Sequence, residues 1–254
     1  MAAVETDLAS GVLTVTLADE DNRNALSARL TTELTAALDD ADANPEVRVV
    51  VLTNRGRVFC AGADLSERSS GADNSSSRPV DPTLLFGRFR ESPKPYVGRI
   101  AGHCVAGGIG LAAAMDISIA IEEAKFGFTE VRIGVAPAII SVVCLPKIRP
   151  ADAREAFLRG NRFLAPEAVR MGLINAAVPV EELDAAGDTV VTDLKAGGPE
   201  AIAAAKQLMA RVPGMPIDEA FRWTEELSAS LFRGEEAAEG MRAYLDKRPP
   251  SWTQ

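Results

Sequence analysis

The chain is 254 residues long, 47% hydrophobic and 25% charged, enough for one large core or a core with a smaller helical appendage. It carries 36 acidic side chains against 27 basic ones, a formal net charge of −9, which excludes a nucleic-acid binder relying on a basic face. A polyanionic ligand stays compatible with that charge, because a few local arginines and backbone dipoles suffice to hold phosphates.

Residues Gly11 to Leu17 alternate Val12, Thr14 and Thr16 with Leu13, Val15 and Leu17, the pattern of a half-buried strand. Ser27 stands at an N-cap position, and Leu30, Leu34, Leu38 and Ala41 follow at helical spacing until Asn44-Pro45 stops the helix. Val47 to Thr53 is an almost unbroken β-branched run, as a strand buried on both faces requires. Strand, helix and strand in this order imply a right-handed crossover. Ser66 to Pro82 is nearly devoid of apolar residues, so a mobile lid beside the ligand pocket is expected there.

From Tyr96 to Val178 short strands alternate with short helices. From Leu183 helical stretches dominate, around Glu200 to Leu208, Ile217 to Phe232 and Glu235 to Leu245. Gly197-Gly198-Pro199 and Pro213-Gly214-Met215-Pro216 separate them. The expected organisation is an α/β core over 1–195 and a helical module over 196–254.

Two stretches carry the chemistry: Phe59-Cys60-Ala61-Gly62-Ala63-Asp64-Leu65 and Ala106-Gly107-Gly108-Ile109-Gly110-Leu111. Each follows a β-rich run and places small residues where backbone must approach a ligand closely. The second opens an apolar helix running through Leu111 and Met115, whose dipole favours negative charge at its start. One exposed N–H from each loop suits a carbonyl oxygen as it becomes an oxyanion.

These loops, together with Asn22-Arg23-Asn24-Ala25-Leu26, Phe126 to Gly134 and Ala168 to Ile174, resemble the crotonase (enoyl-CoA hydratase/isomerase) superfamily over most of the chain and in the family's order. The resemblance implies a crotonase-type α/β spiral of repeated ββα units, closed by a C-terminal α-helical module that assembles a homotrimer or hexamer. It implies that Ala63 and Gly107 supply the oxyanion hole for a thioester enolate. Arg23 and Ala25 with the backbone of Ala61, Asp64 and Leu65, joined by Gly108 and Gly110, match positions that cradle substrate and coenzyme A. Lys247 and Arg248 are candidates to reach the phosphates, in a neighbouring subunit.

Glu130 matches the second of the two glutamates that the family's hydratases use, as the carrier of a proton at the substrate's α or β carbon. Phe126, Phe128 and Val131 give it apolar sequence neighbours that raise its pKa; a turn cap or an ion pair with Arg132 is the rival reading. The first glutamate is replaced by Gly110. Pro137 to Ser141 also departs from the common pattern, and the run from Phe128 to Ser141 resembles a branch that hydrates branched enoyl-CoAs such as methylglutaconyl-CoA. Ser141 is expected to cap a helix rather than to orient a water.

The implied activity is addition of water to a 2-enoyl-CoA thioester. The alternatives are a Δ3–Δ2 enoyl-CoA isomerase working through one glutamate, and a catalytically weak CoA-binding or scaffold subunit. Coenzyme A enters as part of the substrate, with no other cofactor and no metal.

Gly108-Ile109-Gly110-Leu111-Ala112-Ala113 also fits the G-x-G-x-x-A dinucleotide fingerprint, but Ala101 to Ala106 is expected to separate it from its strand, and no P-loop is present. His103, the single histidine, is read as a structural residue of the turn, and Asp116 as a backbone anchor. Without a G-x-S-x-G elbow or clustered ligands, neither a catalytic triad nor a zinc site is supported. Cys60, Cys104 and Cys144 are odd in number and lack metal-type spacing, which points to a reducing, cytoplasmic compartment. Neither the first residues nor any apolar run reads as a leader or a membrane span, so no membrane partner is expected.

Overall fold

The computed structural model describes residues 2–69 and 80–253. Strand β1 (Val4–Ala9) forms an antiparallel hairpin with β2 (Val12–Leu17), in which Leu13, Val15 and Leu17 face the core as their alternation requires. Helix α1 (Ala28–Ala43) follows, capped by Ser27, whose Oγ accepts from the Leu30 N–H at 3.2 Å. Leu30, Leu34, Leu38 and Ala41 form its fully buried stripe.

Strand β3 (Val49–Asn54) is buried along its whole length, because it lies inside a sheet covered on both faces. Val50 and Leu52 face the main core; Val49 and Val51 meet Val97, Val190, Val191 and Leu194 on the other side. Then come β4 (Val58–Cys60), α2 (Leu65–Ser69), α3 (Pro82–Glu91), β5 (Tyr96–Ile100), β6 (His103–Val105) and α4 (Gly107–Ala114). Next are β7 (Ile117–Ile121), β8 (Lys125–Gly127), α5 (Ala138–Cys144), α6 (Pro150–Arg159), β9 (Phe163–Leu164), α7 (Ala165–Met171) and β10 (Ala176–Val178).

The strands divide between a six-stranded sheet, ordered β1-β2-β3-β5-β7-β10, and a four-stranded sheet, ordered β4-β6-β8-β9. Each of the pairs β3–β4, β5–β6 and β7–β8 gives one strand to each sheet before helical chain follows, so the backbone winds as a spiral of ββα turns. Within the larger sheet all pairs after the first hairpin are parallel. The smaller sheet escapes the sequence pattern, since strands of two or three residues show no periodicity.

Helix α8 (Leu183–Ala196) covers the large sheet. Helices α9 (Pro199–Arg211), α10 (Ile217–Phe232) and α11 (Glu235–Leu245) follow at the three expected places. Lys206 of α9 reaches into the core, where its Nζ donates to Asp116 Oδ2 at 2.7 Å and to the Phe89 carbonyl at 2.9 Å. The expected lid falls mostly on residues 70–79, which lie outside the described residues; its flanks belong to α2 and α3. Among the described residues no helix is long and apolar enough to cross a membrane.

Candidate active site

Strands β4 and β6 are parallel neighbours, so the loops that leave them emerge side by side. Gly62 takes φ +87°, and a Cβ there would lie 2.7 Å from Ala106 Cβ and 2.8 Å from the Gly107 nitrogen. Only glycine permits this backbone contact. Ala106 itself sits at φ 50°, ψ −127°, a strained conformation for a residue with a side chain. Gly107 is the first residue of α4, so its N–H has no partner within the helix. Among the described residues neither it nor the N–H of Ala63 donates to a protein acceptor. Ala63 N would lie 3.6 Å from a Cβ on Gly107, which places the two expected donors in one small region.

The segment 22–26 runs alongside the first loop. The Ala61 N–H donates to the Arg23 carbonyl at 3.2 Å, and the Leu26 N–H to that of Gly62 at 2.7 Å. Arg23 and Asn24 both adopt the left-handed conformation, and buried Asn24 is anchored through Nδ2 to the Val58 carbonyl at 2.8 Å.

A cavity of about 1280 Å³ opens on these loops. Ala61, Ala63, Asp64, Leu65, Gly107 and Glu130 all line it, so the spiral gathers six of the expected site residues from three separate segments. Arg23 is exposed and Ala25 buried, and neither belongs to the cavity wall. The Asp64 carboxylate accepts from Asn22 Nδ2 at 2.8 Å and from the Ser66 Oγ and N–H at 2.6 and 2.9 Å. These bonds hold it below the usual aspartate range and fix the start of α2. Glu67 also lines the cavity, but its carboxylate accepts from the Ala28 N–H at 3.0 Å.

Glu130 differs from both. It lies in the 3-10 turn Thr129–Ile133, half-buried, with Oε2 fully buried and without a protein partner. Burial pushes its pKa above the ordinary glutamate value. The rival pairing with Arg132 does not form: Arg132 Nε donates to the Gly160 carbonyl at 2.7 Å and Nη2 to that of Arg159 at 3.2 Å.

Gly108 and Gly110, expected at the substrate, are instead buried helix-packing residues outside the cavity wall. A Cβ on Gly108 would lie 2.4 Å from the Cys60 carbonyl oxygen. One on Gly110 would lie 2.4 Å from Ile140 Cγ2 and 2.9 Å from Phe86 Cε1. Carbon therefore occupies the place where the family's first glutamate would begin. No local sequence signal marks Phe86 or Ile140, because only the spiral brings α3 and α5 onto α4.

Two further expectations change. Strand β6 turns into α4 with only Ala106 between them, so a separating stretch does not dispose of the dinucleotide fingerprint; the packing of both glycines against side chains and backbone does. Ser141 does not cap α5; its Oγ donates three residues back to the Ala138 carbonyl at 2.6 Å. Arg248 is held by Glu239 at 2.7 Å. His103 begins β6 and its Nδ1 accepts from the Lys125 N–H at 3.2 Å, while Asp116 Oδ2 accepts from that of Tyr96 at 2.8 Å. All three cysteines are free and buried, and no metal-binding cluster occurs among the described residues.

A spiral of two sheets with paired glycine-containing loops over a cavity defines the crotonase superfamily, and solved structures agree. An enoyl-CoA hydratase from Mycobacterium smegmatis superimposes with a TM-score of 0.89 at 27% identity, over 99% of both chains. A provisionally named enoyl-CoA hydratase of Thermus thermophilus is 37% identical over 94% of this chain and 96% of its own. A carnitinyl-CoA dehydratase of Salmonella enteritidis is 32% identical over 95% and 94%. The profile of the family described as enoyl-CoA hydratase/isomerase matches residues 7–254. The chain belongs to that family of enzymes.

Proposed function

We propose that the protein adds water across a 2-enoyl-CoA thioester, with Glu130 moving the proton and the N–H groups of Ala63 and Gly107 holding the thioester oxygen as it becomes an enolate. The observation that carries this reading is the state of Glu130: a cavity-lining carboxylate with one oxygen buried and unpartnered and a raised pKa. A carboxylate raised above the ordinary glutamate value is better suited to giving and taking a proton than an exposed or ion-paired one. Two backbone donors stabilise the oxyanion by about 3 kcal/mol each in comparable sites. The names of the Thermus and Salmonella relatives point to the same chemistry.

The Δ3–Δ2 isomerase reading is favoured by one observation. Phe86 and Ile140 fill the position of the second acid, and a single carboxylate suffices to carry a proton between two carbons of one enolate. Coenzyme A would lie along Ala61, Asp64 and Leu65, and the α9–α11 module would join subunits into a trimer or hexamer in the cytoplasm. A panel of saturated, 2-enoyl, 3-enoyl and branched enoyl-CoAs, followed for hydration, isomerisation and α-proton exchange, tests the proposal. Hydration of a 2-enoyl-CoA supports it; isomerisation without hydration replaces it with the second reading. Tight CoA binding with no turnover of any thioester would leave a scaffold.

A further inference from the structure

Gly62 is held from both sides. Its carbonyl accepts from the Leu26 N–H at 2.7 Å, and its own N–H donates to Cys60 Sγ at 3.4 Å. The carbonyl of Gly62 and the N–H of Ala63 belong to one trans peptide plane and point in opposite directions. Whatever fixes the Gly62 carbonyl therefore aims the Ala63 N–H. Leu26 fixes one end of this unit. The other end depends on the φ of Gly62, which is +87° and which no side chain of its own restrains. The sulfur hydrogen bond two residues back is a restraint on it, beside the close packing against Ala106 and Gly107.

Cys60 also reaches the second loop. A Cβ on Gly108 would lie 2.9 Å from Cys60 Cβ, so the cysteine packs directly under the first turn of α4 while its sulfur holds the first loop. It is fully buried, and the desolvated thiol stays neutral, its pKa pushed up to about 12. Reactivity is therefore not its use, and its sulfur remains available as an acceptor.

We infer that Cys60 is a positioning residue for the oxyanion hole: its sulfur holds the Gly62 N–H and thereby aims the Ala63 N–H at the developing charge. The inference rests on the proposed use of Ala63 and Gly107. It predicts an effect concentrated in the transition state, because a misdirected donor weakens the bond to the oxyanion more than the bond to a resting carbonyl. Serine at this place keeps an acceptor; alanine does not.

The test compares the full-length protein with Cys60→Ala, Cys60→Ser and Cys104→Ala. Cys104 is the fully buried register partner of Cys60, its thiol making no side-chain hydrogen bond among the described residues, and controls for lost thiol packing. With crotonyl-CoA as probe, Cys60→Ala is expected to lower kcat by about tenfold or more with KM little changed, since small displacements of catalytic groups cost up to about 100-fold. Cys60→Ser should restore most of kcat, and Cys104→Ala should keep it. The carbonyl stretch of bound, carbonyl-labelled crotonyl-CoA should shift less in Cys60→Ala, and amide exchange at Gly62 should quicken without substrate. Full kcat in Cys60→Ala overturns the inference, as does a loss shared equally by Cys60→Ser or Cys104→Ala. If the wild-type protein neither binds nor converts crotonyl-CoA, the proposed function is tested on its own panel. Gly62 exchange then decides the clamp: quickened exchange in Cys60→Ala supports it, and unchanged exchange overturns it.

Discussion

Glu130 and Arg132 share one 3-10 turn, yet form no ion pair. The guanidinium is turned onto the Gly160 and Arg159 carbonyls at the end of α6, where a cation meets the negative end of the helix. Had it turned to Glu130, the carboxylate would be held ionised at low pKa and would be a poor proton carrier. Diverting Arg132 to a helix terminus leaves Glu130 Oε2 buried and free.

Glu130→Gln is the direct test. It keeps size and hydrogen bonding but removes the base, so turnover should fall by about 10²–10⁴ with little change in thioester affinity. The same variant carries a stability signature. Because burial raises the folded pKa, the unfolded chain loses its proton first as pH rises through the ordinary glutamate range. Between the unfolded and folded pKa values the unfolded state binds fewer protons, so Glu130 costs stability as pH increases. Glu130→Gln should match the wild type in acid and be more stable at neutral pH. Urea unfolding across pH reads this, and a variant less stable at neutrality contradicts it. Likewise, the acid limb of the wild-type rate profile should lie above the ordinary glutamate value.

Gly110→Glu looks from sequence like a repair of a missing acid. The structure reverses that expectation, since even a Cβ would overlap Ile140 Cγ2 and Phe86 Cε1 in a buried helix. The variant should gain no hydratase activity and should lose about 1–3 kcal/mol or more from overpacking and a buried carboxylate. Enhanced hydration of any enoyl-CoA with unchanged stability would refute this.

Gly62→Ala should disable the oxyanion hole. Its φ of +87° disfavours any side chain, and the new methyl would press on Ala106 Cβ and the Gly107 nitrogen. Relief requires the two loops to separate, misplacing both donors. A drop of about 10²–10³ in kcat is expected, as for loss of an oxyanion donor. Steady-state kinetics with the best substrate of the panel checks it; a near-normal kcat would mean that these loops do not hold the reacting oxygen.

How much of this was legible in the sequence depended on the range of the cause. The β1–β2–α1–β3 order could be read because alternation at Leu13, Val15 and Leu17 and the Leu30-Leu34-Leu38 stripe are local consequences of burial. The motif residues Ala63, Gly107 and Glu130 could be named from resemblance, and they do line one cavity. Gly108 and Gly110 lie outside the cavity wall, which sequence could not show because a glycine needed for close packing looks the same there as one needed for a ligand. The diversion of Arg132 to Gly160 and the filling of the Gly110 position by Phe86 are contacts between distant segments, which no local pattern encodes.

Lys206 joins the C-terminal helices to the core as a buried cation, with Asp116, Lys94 and Phe89 supplying acceptors. Removing its charge leaves Asp116 Oδ2 with the Tyr96 N–H alone. Lys206→Met should therefore destabilise the fold, by less than the roughly 3–5 kcal/mol of a fully buried pair, because Asp116 is partly exposed and Lys147 stays near it. Adding Asp116→Asn should recover part of the loss, because the charge that has lost its ion-pair partner goes with it. Denaturant unfolding of the two single variants and the double variant measures the coupling; simple additivity would show that the pair is not energetically linked.

Assembly is the remaining prediction. Along α10 and α11, Phe221, Phe232, Tyr244 and Leu245 are 69%, 68%, 84% and 78% exposed, while Ala243 is the only buried residue of α11. Single exposed apolar residues are ordinary, but large ones repeated on adjacent helices form a face that water does not favour. A closed ring of identical subunits covers such a face on every copy, which a chain of open-ended contacts does not. The family resemblance implies a homotrimer or hexamer, so light scattering should report three or six times the 26.8 kDa chain mass. Charged replacements such as Phe221→Asp with Phe232→Asp should shift the particle toward smaller species while leaving the chain folded, as far-UV circular dichroism reads it. A wild-type protein that stays monomeric at micromolar concentration would refute the assembly.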